Sequence, residues 1–477
     1  ECSACGHDEM VTVFRTTGTK NTQRGNLAFS WHDNTCPSCS SKDKQLLLGA
    51  RNATLGAQVV EHSWSSIFND DKKMIAFSDS VQDAAHRAGF FGARTWVNTV
   101  RTAMAKAIDD MGEEVIPWKD FLYRFGEVWT DKSSALCMDS EATFVSEFIG
   151  PNMLWQRDWA DELLKNGALP LNSRLPLRVK KRLCWQAYAE FTYLNRRGRN
   201  LERIGKAVLA PDYKVIESIS DKMGRILQEE FGGHHVDNQI VFQWLWGFLI
   251  QLRRRGAVWH PELEGYATDG NIWGLAFRQG RSEWMPAIGE RTPHPVFITL
   301  GNHRNFDRLT NSTRQSWYVR WLNMVLGKQM LLAAKVEEPI YHRCIDLLVT
   351  NNLLVKTEST MGFSIALADD GLNLYTHVSF MKTGDGKRQL SVPAIVADQL
   401  IGMPCLDAPA FQYETVHKPE GWLAKKFSYG DLKRVIAAEH TGLLERGDRE
   451  QLETRFKSRQ PQPWFENLLS AIFCNLD

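Results

Sequence analysis

Apolar and polar positions change rhythm along this 477-residue chain, most sharply between Met74 and Phe91. There Ile75, Ala76 and Phe77 are apolar in succession, the pattern of a strand covered on both faces, before Ser78-Asp79-Ser80 turns the chain helical. Ser80 with Asp83 makes a capping box for that helix, and Ala84, Ala85 and Ala88 give it a small face that can lie close to a sheet. A second junction of this kind comes near the C-terminus, where Leu432 to Ala437 reads as a strand running into Glu439-His440-Thr441-Gly442-Leu443. Asp448 with Gln451 caps the helix predicted after it, and Leu452 with Phe456 supplies its apolar face. Ligands of open α/β sheets gather beyond the carboxyl ends of the strands, where a helix N-terminus offers free N–H groups to a phosphate. The two junctions therefore predict one sheet interrupted by a very long insertion.

Helical spacing dominates the insertion, as Trp96 to Ile108 and Val215 to Phe231 show, and Trp244 with Trp246 falls in a short apolar run suited to a core. Farther on, Val336 to Leu348 reads as a helix that Asn351-Asn352 breaks. An extended pair then starts at Leu353-Leu354-Val355, turns at Asp369-Asp370-Gly371 and ends near Tyr375, an order that resembles a winged helix. Such a module either contacts nucleic acid or serves as a packed spacer.

A 43% hydrophobic and 24% charged composition belongs to an ordinary soluble globular protein, and no apolar run approaches the roughly 20 residues of a membrane span. The net charge of +1 excludes a uniformly basic coat, so any electrostatic grip on nucleic acid has to be local. One local concentration stands out: Ser173 to Lys206 holds ten Lys or Arg against Glu190 and Glu202, a net +8. Trp185, Tyr188, Phe191 and Tyr193 interleave with those cations, which suits either a nucleic-acid backbone with optional stacking or a solvated helix face over a buried aromatic stripe. Arg196, Arg197 and Arg199 are the candidate contacts on the first reading, and Arg253-Arg254-Arg255 is a smaller patch with the same two readings.

Two Cys-x-x-Cys pairs, Cys2/Cys5 and Cys36/Cys39, have the form of a tetrahedral zinc site in which each knuckle presents two thiolates. Thr12 to Phe14 and Leu27 to Trp31 are its expected strands, with a loop through Thr16 to Gly25. Four protein ligands leave no open position, so the metal would be structural. Surface thiols or a disulfide pair are the alternatives, and His7 is a possible substitute ligand. The scattered spacing of Cys137, Cys184, Cys344, Cys405 and Cys474 favours a cytoplasmic setting.

The Phe77-Ser78-Asp79-Ser80-x-Gln82-Asp83-Ala84-Ala85 run is similar to motif IV of superfamily 2 helicases, and His440-x-Gly442-Leu443 with Arg449, Glu453 and Phe456 resembles the next conserved block of their second RecA-like lobe. Together the blocks resemble the branch of large DNA helicases that includes mitomycin-repair helicases and those of phage-defence systems such as Druantia. The resemblance implies that Ser78, Asp79, Ser80, His440, Thr441 and Gly442 line a strand-tracking surface for DNA. It also implies that Leu390 to Leu406 is the remnant of a small cysteine-bearing element, in which Cys405 alone is too little for a second zinc.

No phosphate-binding G-x-x-x-x-G-K-[ST] run occurs; Gly384-Asp385-Gly386-Lys387 is followed by Arg388 and lacks the earlier glycine spacing. No Asp-Glu pair follows an apolar strand as a Walker B would. The expectation is thus a piece of a larger protein, ending before motif V, whose missing first RecA-like lobe would hold ATP and Mg. Its expected organisation is an incomplete α/β RecA-like lobe at 46–115 and 416–477, with a zinc-ribbon-like module at 1–45. Between the lobe segments come a helical insertion at 116–328, a winged-helix-like module at 329–378 and a small degenerate element at 379–415. Part of an ATP-dependent DNA translocase is the leading function, inactive in ATP hydrolysis alone; a non-enzymatic, zinc-containing nucleic-acid-binding adaptor is the alternative. Replacing Cys36 and Cys39 together by Ser is expected to release bound zinc, measured by elemental analysis of the purified protein; unchanged metal content rejects these ligands.

Overall fold

The structure is a computed structural model. It describes residues 19–24, 27–32, 59–60, 62–63, 66–68, 74–78, 81–150, 162–163, 168–195, 199–231, 236–276, 282–289, 292–300, 305–310, 316–327, 336–359, 362–419, 422–432, 434, 437–440, 444–457 and 471–475. A hairpin of β1 (Thr19–Arg24) and β2 (Leu27–His32) precedes β3 (Met74–Ser78) and the long helix α1 (Val81–Met111). Next come β4 (Val115–Pro117), α2 (Trp118–Glu127), α3 (Glu141–Phe148), α4 (Leu175–Phe191) and β5 (Val208–Pro211). Helices α5 (Tyr213–Glu230), α6 (Asn238–Arg255), α7 (Glu264–Asp269) and α8 (Trp273–Ala276) lead to β6 (Ile298–Thr299) and β7 (Asp307–Arg308). Then follow α9 (Trp317–Val325), α10 (Glu337–Thr350), β8 (Leu354–Ser359), β9 (Gly362–Leu367), β10 (Leu372–Tyr375) and β11 (Val378–Thr383). The chain closes with β12 (Gln389–Pro393), β13 (Tyr413–His417), α11 (Trp422–Tyr429), β14 (Ala437–His440), α12 (Arg446–Lys457) and β15 (Ala471–Asn475).

Helix α1 begins where the Ser-x-x-Asp box predicts, but it does not stop before the helix expected at Trp96. The two are one helix of 31 residues, about 46 Å long at 1.5 Å per residue. Gly89 and Gly92 lie inside it and do not break it, because each costs only about 1 kcal/mol while Trp96, Val100, Met104 and Ile108 bury their side chains. It packs on the strands β3, β14 and β15, on α11, and against α2, α3 and α4 of a helical body.

That body closes around α6, which is buried on all sides from Val241 to Arg254, as a helix apolar round its circumference has to be. Asp237 caps its start by accepting from the Gln239 N–H at 2.9 Å, and Gly256 ends it in the left-handed conformation at φ 79°. Trp244 and Trp246 are fully buried, as their apolar run implies. Gly247 lets α9 come close: a Cβ there would sit 2.0 Å from the Trp321 ring, whose Nε1 donates to the Trp244 carbonyl at 2.9 Å.

The arginine run at the end of α6 is paired throughout, and Arg253 and Arg254 are buried. Arg253 is fully buried on Glu202, with Nη2 donating to Oε1 at 2.8 Å. Arg254 Nη2 reaches Asp407 Oδ2 at 2.6 Å, and Arg255 Nε reaches Asp307 Oδ2 at 2.8 Å.

Small antiparallel sheets cover this body, in the orders β4-β10-β5, β12-β11-β13 and β7-β6-β9-β8; within the last, β6 and β7 run parallel. The hairpin expected after α10 is present as β8 and β9, but it turns between Ser359 and Gly362. Asp369–Gly371 instead forms a short 3-10 helix, and β10 leaves to pair with β4 and β5. The division expected after residue 328 runs through shared sheets, since β6 pairs with β9 and β5 with β10, and one core runs from Trp96 to Phe427.

At the N-terminus, β2 matches the expected strand, while β1 occupies most of what reads as a loop over Thr16 to Gly25. Thr12 to Phe14, His7 and the ligand candidates Cys2, Cys5, Cys36 and Cys39 lie outside the described residues. No helix among the described residues is long and apolar enough to cross a membrane. The Gly247→Ala variant is expected to lose about 1–3 kcal/mol of stability by overpacking, measured by chemical unfolding; an unchanged midpoint would refute the close approach of α9.

Candidate nucleic-acid interface

Strands β14, β15 and β3 form a parallel sheet with β15 in the centre. His440 is level with Cys474, Cys474 with Phe77, and Asn475 with Ser78. All three carboxyl ends thus lie on one edge, and at about 4.8 Å per strand spacing the backbones at His440 and Phe77 are about 10 Å apart. Two junctions far apart in sequence meet there, each passing its chain into a helix, α1 after β3 and α12 after β14.

The strand before α12 starts later than its apolar pattern suggests, at Ala437 rather than Leu432. Arg434 explains the delay: it is buried, and its Nη1 donates to the Ser146 carbonyl on α3 at 3.0 Å, so the chain here still belongs to the helical body. Burial pushes the Arg434 guanidinium down to about 10, while neighbouring Glu147 acts in the other direction. Helix α12 starts at Arg446, which puts Asp448 and Gln451 inside its first turns instead of at a cap. Ile75 is 52% exposed, so at this point β3 is not covered on both faces, and among the described residues β3 is at the end of its sheet.

Of the residues expected on this edge, Ser78 ends β3 and His440 ends β14; Asp79, Ser80, Thr441 and Gly442 lie outside the described residues. His440 is half-buried, with Nε2 3.2 Å from Glu453 Oε1 on α12. Lys457 Nζ donates to the other Glu453 oxygen at 2.9 Å. Hydrogen bonds from Lys457 and then His440 hold the Glu453 carboxyl below its ordinary range.

The basic segment behaves differently from its composition. Trp185, Tyr188 and Phe191 are fully buried, and the Tyr188 hydroxyl donates to the Val258 carbonyl at 2.8 Å. These rings are core and unavailable for stacking on bases. Arg178 pairs with Glu283 at 2.6 Å, Lys180 with Glu127 at 2.6 Å and Lys206 with Asp109. Arg182 is buried over the Trp96 ring, 5.4 Å from its centroid. Charge that looks local in sequence is therefore offset by carboxylates from other elements. Arg196 and Arg197 lie outside the described residues, and Arg199 is half-buried on the turn that follows.

Helix α10 exposes Glu338, His342, Arg343 and Asp346, and Arg343 pairs with Glu230 at 2.9 Å, a poor face for a polyanion. The cleft of about 480 Å3 between α5, α6 and the turn at Asp398–Leu400 is lined by Glu217, Asp221 and Asp398 among others, which also disfavours phosphate. Among the described residues no group of three or more His, Cys, Asp or Glu is arranged to hold a metal.

Sequence reasoning missed Arg434 as an anchor, and no local pattern could have found it, since its partner is on a helix remote in sequence. The i, i+3 spacing of Trp185, Tyr188 and Phe191 was a usable signal of a buried stripe. Comparison of the chain with family models, with curated proteins and with solved structures finds no match. Trp185→Ala is expected to lower stability by about 3–5 kcal/mol in denaturant unfolding; a stable variant whose only defect is weakened oligonucleotide binding would return Trp185 to the surface.

Proposed function

We propose that this chain contributes the nucleic-acid-binding surface of the second RecA-like lobe of an ATP-dependent DNA helicase or translocase. The observation that supports this reading best is the shared parallel edge of Ser78 and His440. Those residues belong to the two sequence blocks that resemble helicase motifs, and such an edge, with helices starting behind it, suits a phosphodiester backbone. The chain's own residues would position the strand: Ser78 and Thr441 by hydroxyl contacts, Asp79, Ser80 and Gly442 by backbone geometry, and His440 by its imidazole.

ATP and Mg would sit against a first RecA-like lobe absent from this chain, and supply the energy for stepping. Zinc on Cys2, Cys5, Cys36 and Cys39 would have a structural role. DNA repair or phage defence in the cytoplasm is the setting that goes with the resemblance and the cysteine spacing. The absence of a phosphate-binding loop from the sequence favours a second reading, a nucleic-acid-binding adaptor without enzymatic activity; DNA-stimulated ATP hydrolysis by a longer form of the protein would exclude it.

Ser78→Glu and Thr441→Glu are each expected to weaken binding of a single-stranded oligonucleotide by about tenfold, the order of a lost polar contact plus charge repulsion, without changing the circular dichroism spectrum. Fluorescence anisotropy at two salt concentrations measures this. Unchanged affinity in both folded variants would remove the edge from the binding surface.

A further inference from the structure

We infer that Glu453 is a positioning residue that makes His440 a proton-gated contact for a phosphodiester backbone, an inference that rests on the nucleic-acid reading of the same edge. The geometry starts from a carboxylate oxygen, Glu453 Oε1, 3.2 Å from His440 Nε2. An ionised carboxylate only accepts hydrogen bonds, so Nε2 has to carry the proton. In the neutral ring the remaining nitrogen, Nδ1, is then a lone-pair acceptor. A phosphate oxygen is also an acceptor, and the two repel. Only when Nδ1 takes a proton from solvent does His440 donate from both nitrogens, keeping Glu453 on one side and offering N–H to a phosphate on the other.

The surroundings favour this division of labour. On α12, Lys457 occupies the second oxygen of Glu453 and leaves Oε1 to His440, while Arg446 pairs with Glu450 at 2.8 Å. Beside His440 in the sheet the level residue is Cys474, and the helix packed on β14, α1, has Asp83, His86, Arg87 and Arg94 in its first half. Glu439 precedes His440 in β14. His440 ends its strand with its side chain 24% exposed.

The test uses the full chain with 15N-labelled histidine, and a fluorescent oligothymidylate as the probe. Long-range proton–nitrogen correlations, with His440→Gln identifying the signal, are expected to show the Nε2–H tautomer at about pH 8. Glu453→Ala should shift that population, and Glu453→Gln, which keeps an acceptor, should restore it. Affinity for the oligothymidylate is expected to rise roughly two- to fivefold between about pH 8 and pH 5.5, the scale of one exposed charge contact. The rise should vanish in His440→Gln and shrink in Glu453→Ala. A tautomer population that Glu453→Ala leaves unchanged, or a pH response that survives in His440→Gln, overturns the inference and leaves nucleic-acid binding at the edge standing. Absence of oligonucleotide binding at both pH values overturns the inference together with the proposed function.

Discussion

Burial of charge at the C-terminal end of α6 is the constraint around which the helical body is organised. Arg253, buried together with Glu202, cannot leave a core helix unpaired, since breaking such a buried ion pair costs about 3–5 kcal/mol by stranding the partner charge, and Arg254 and Arg255 are paired at its end. The fold meets that demand by drawing in three different segments: Glu202 from the turn after α4, Asp407 from the loop before β13, and Asp307 from β7. Ser391 on β12 donates to the Glu202 carbonyl at 2.9 Å, and the Tyr188 hydroxyl on α4 contacts the carbonyls of Gly256 and Val258 just past the helix end. Segments from two of the body's expected parts, 116–328 and 379–415, are thus committed to one point.

The parallel sheet is tied to that body at two places. Helix α1 is continuous from the sheet into the core, so the edge beyond β3 cannot tilt without moving Trp96 and Met104 through close-packed surroundings. Arg434 anchors the chain on α3 just before β14. Near the same region, Lys106 on α1 donates to the Ser428 carbonyl at 3.2 Å and Lys206 to the Ser428 hydroxyl at 2.7 Å, holding the end of α11. An edge built from two distant junctions is in this way joined to the helical body through α1 and Arg434.

Much of the edge was legible in the sequence because its information is local. The apolar triplet Ile75-Ala76-Phe77 followed by Ser-x-x-Asp marks a strand and a helix start within ten residues, and α1 begins where that pattern says. The later junction was legible in kind but displaced in position, because Arg434 looks like an ordinary break in an apolar run until its burial against α3 is known. The basic segment misled for a related reason: net charge along a chain says nothing about the carboxylates that folding brings to it, and Glu127, Glu283 and Asp109 come from other elements.

By itself the sequence determined that a strand at Met74–Ser78 passes into a helix beginning at Val81 and that stripes such as Trp185, Tyr188 and Phe191 are buried, since capping and period act over a few residues. Tertiary structure alone decided that β3 and β14 flank the same central strand, that Arg253 and Arg254 are internal, and that His440 has Glu453 for a partner. Those outcomes depend on which distant groups share a dielectric environment and a hydrogen-bonding distance, and packing creates that adjacency.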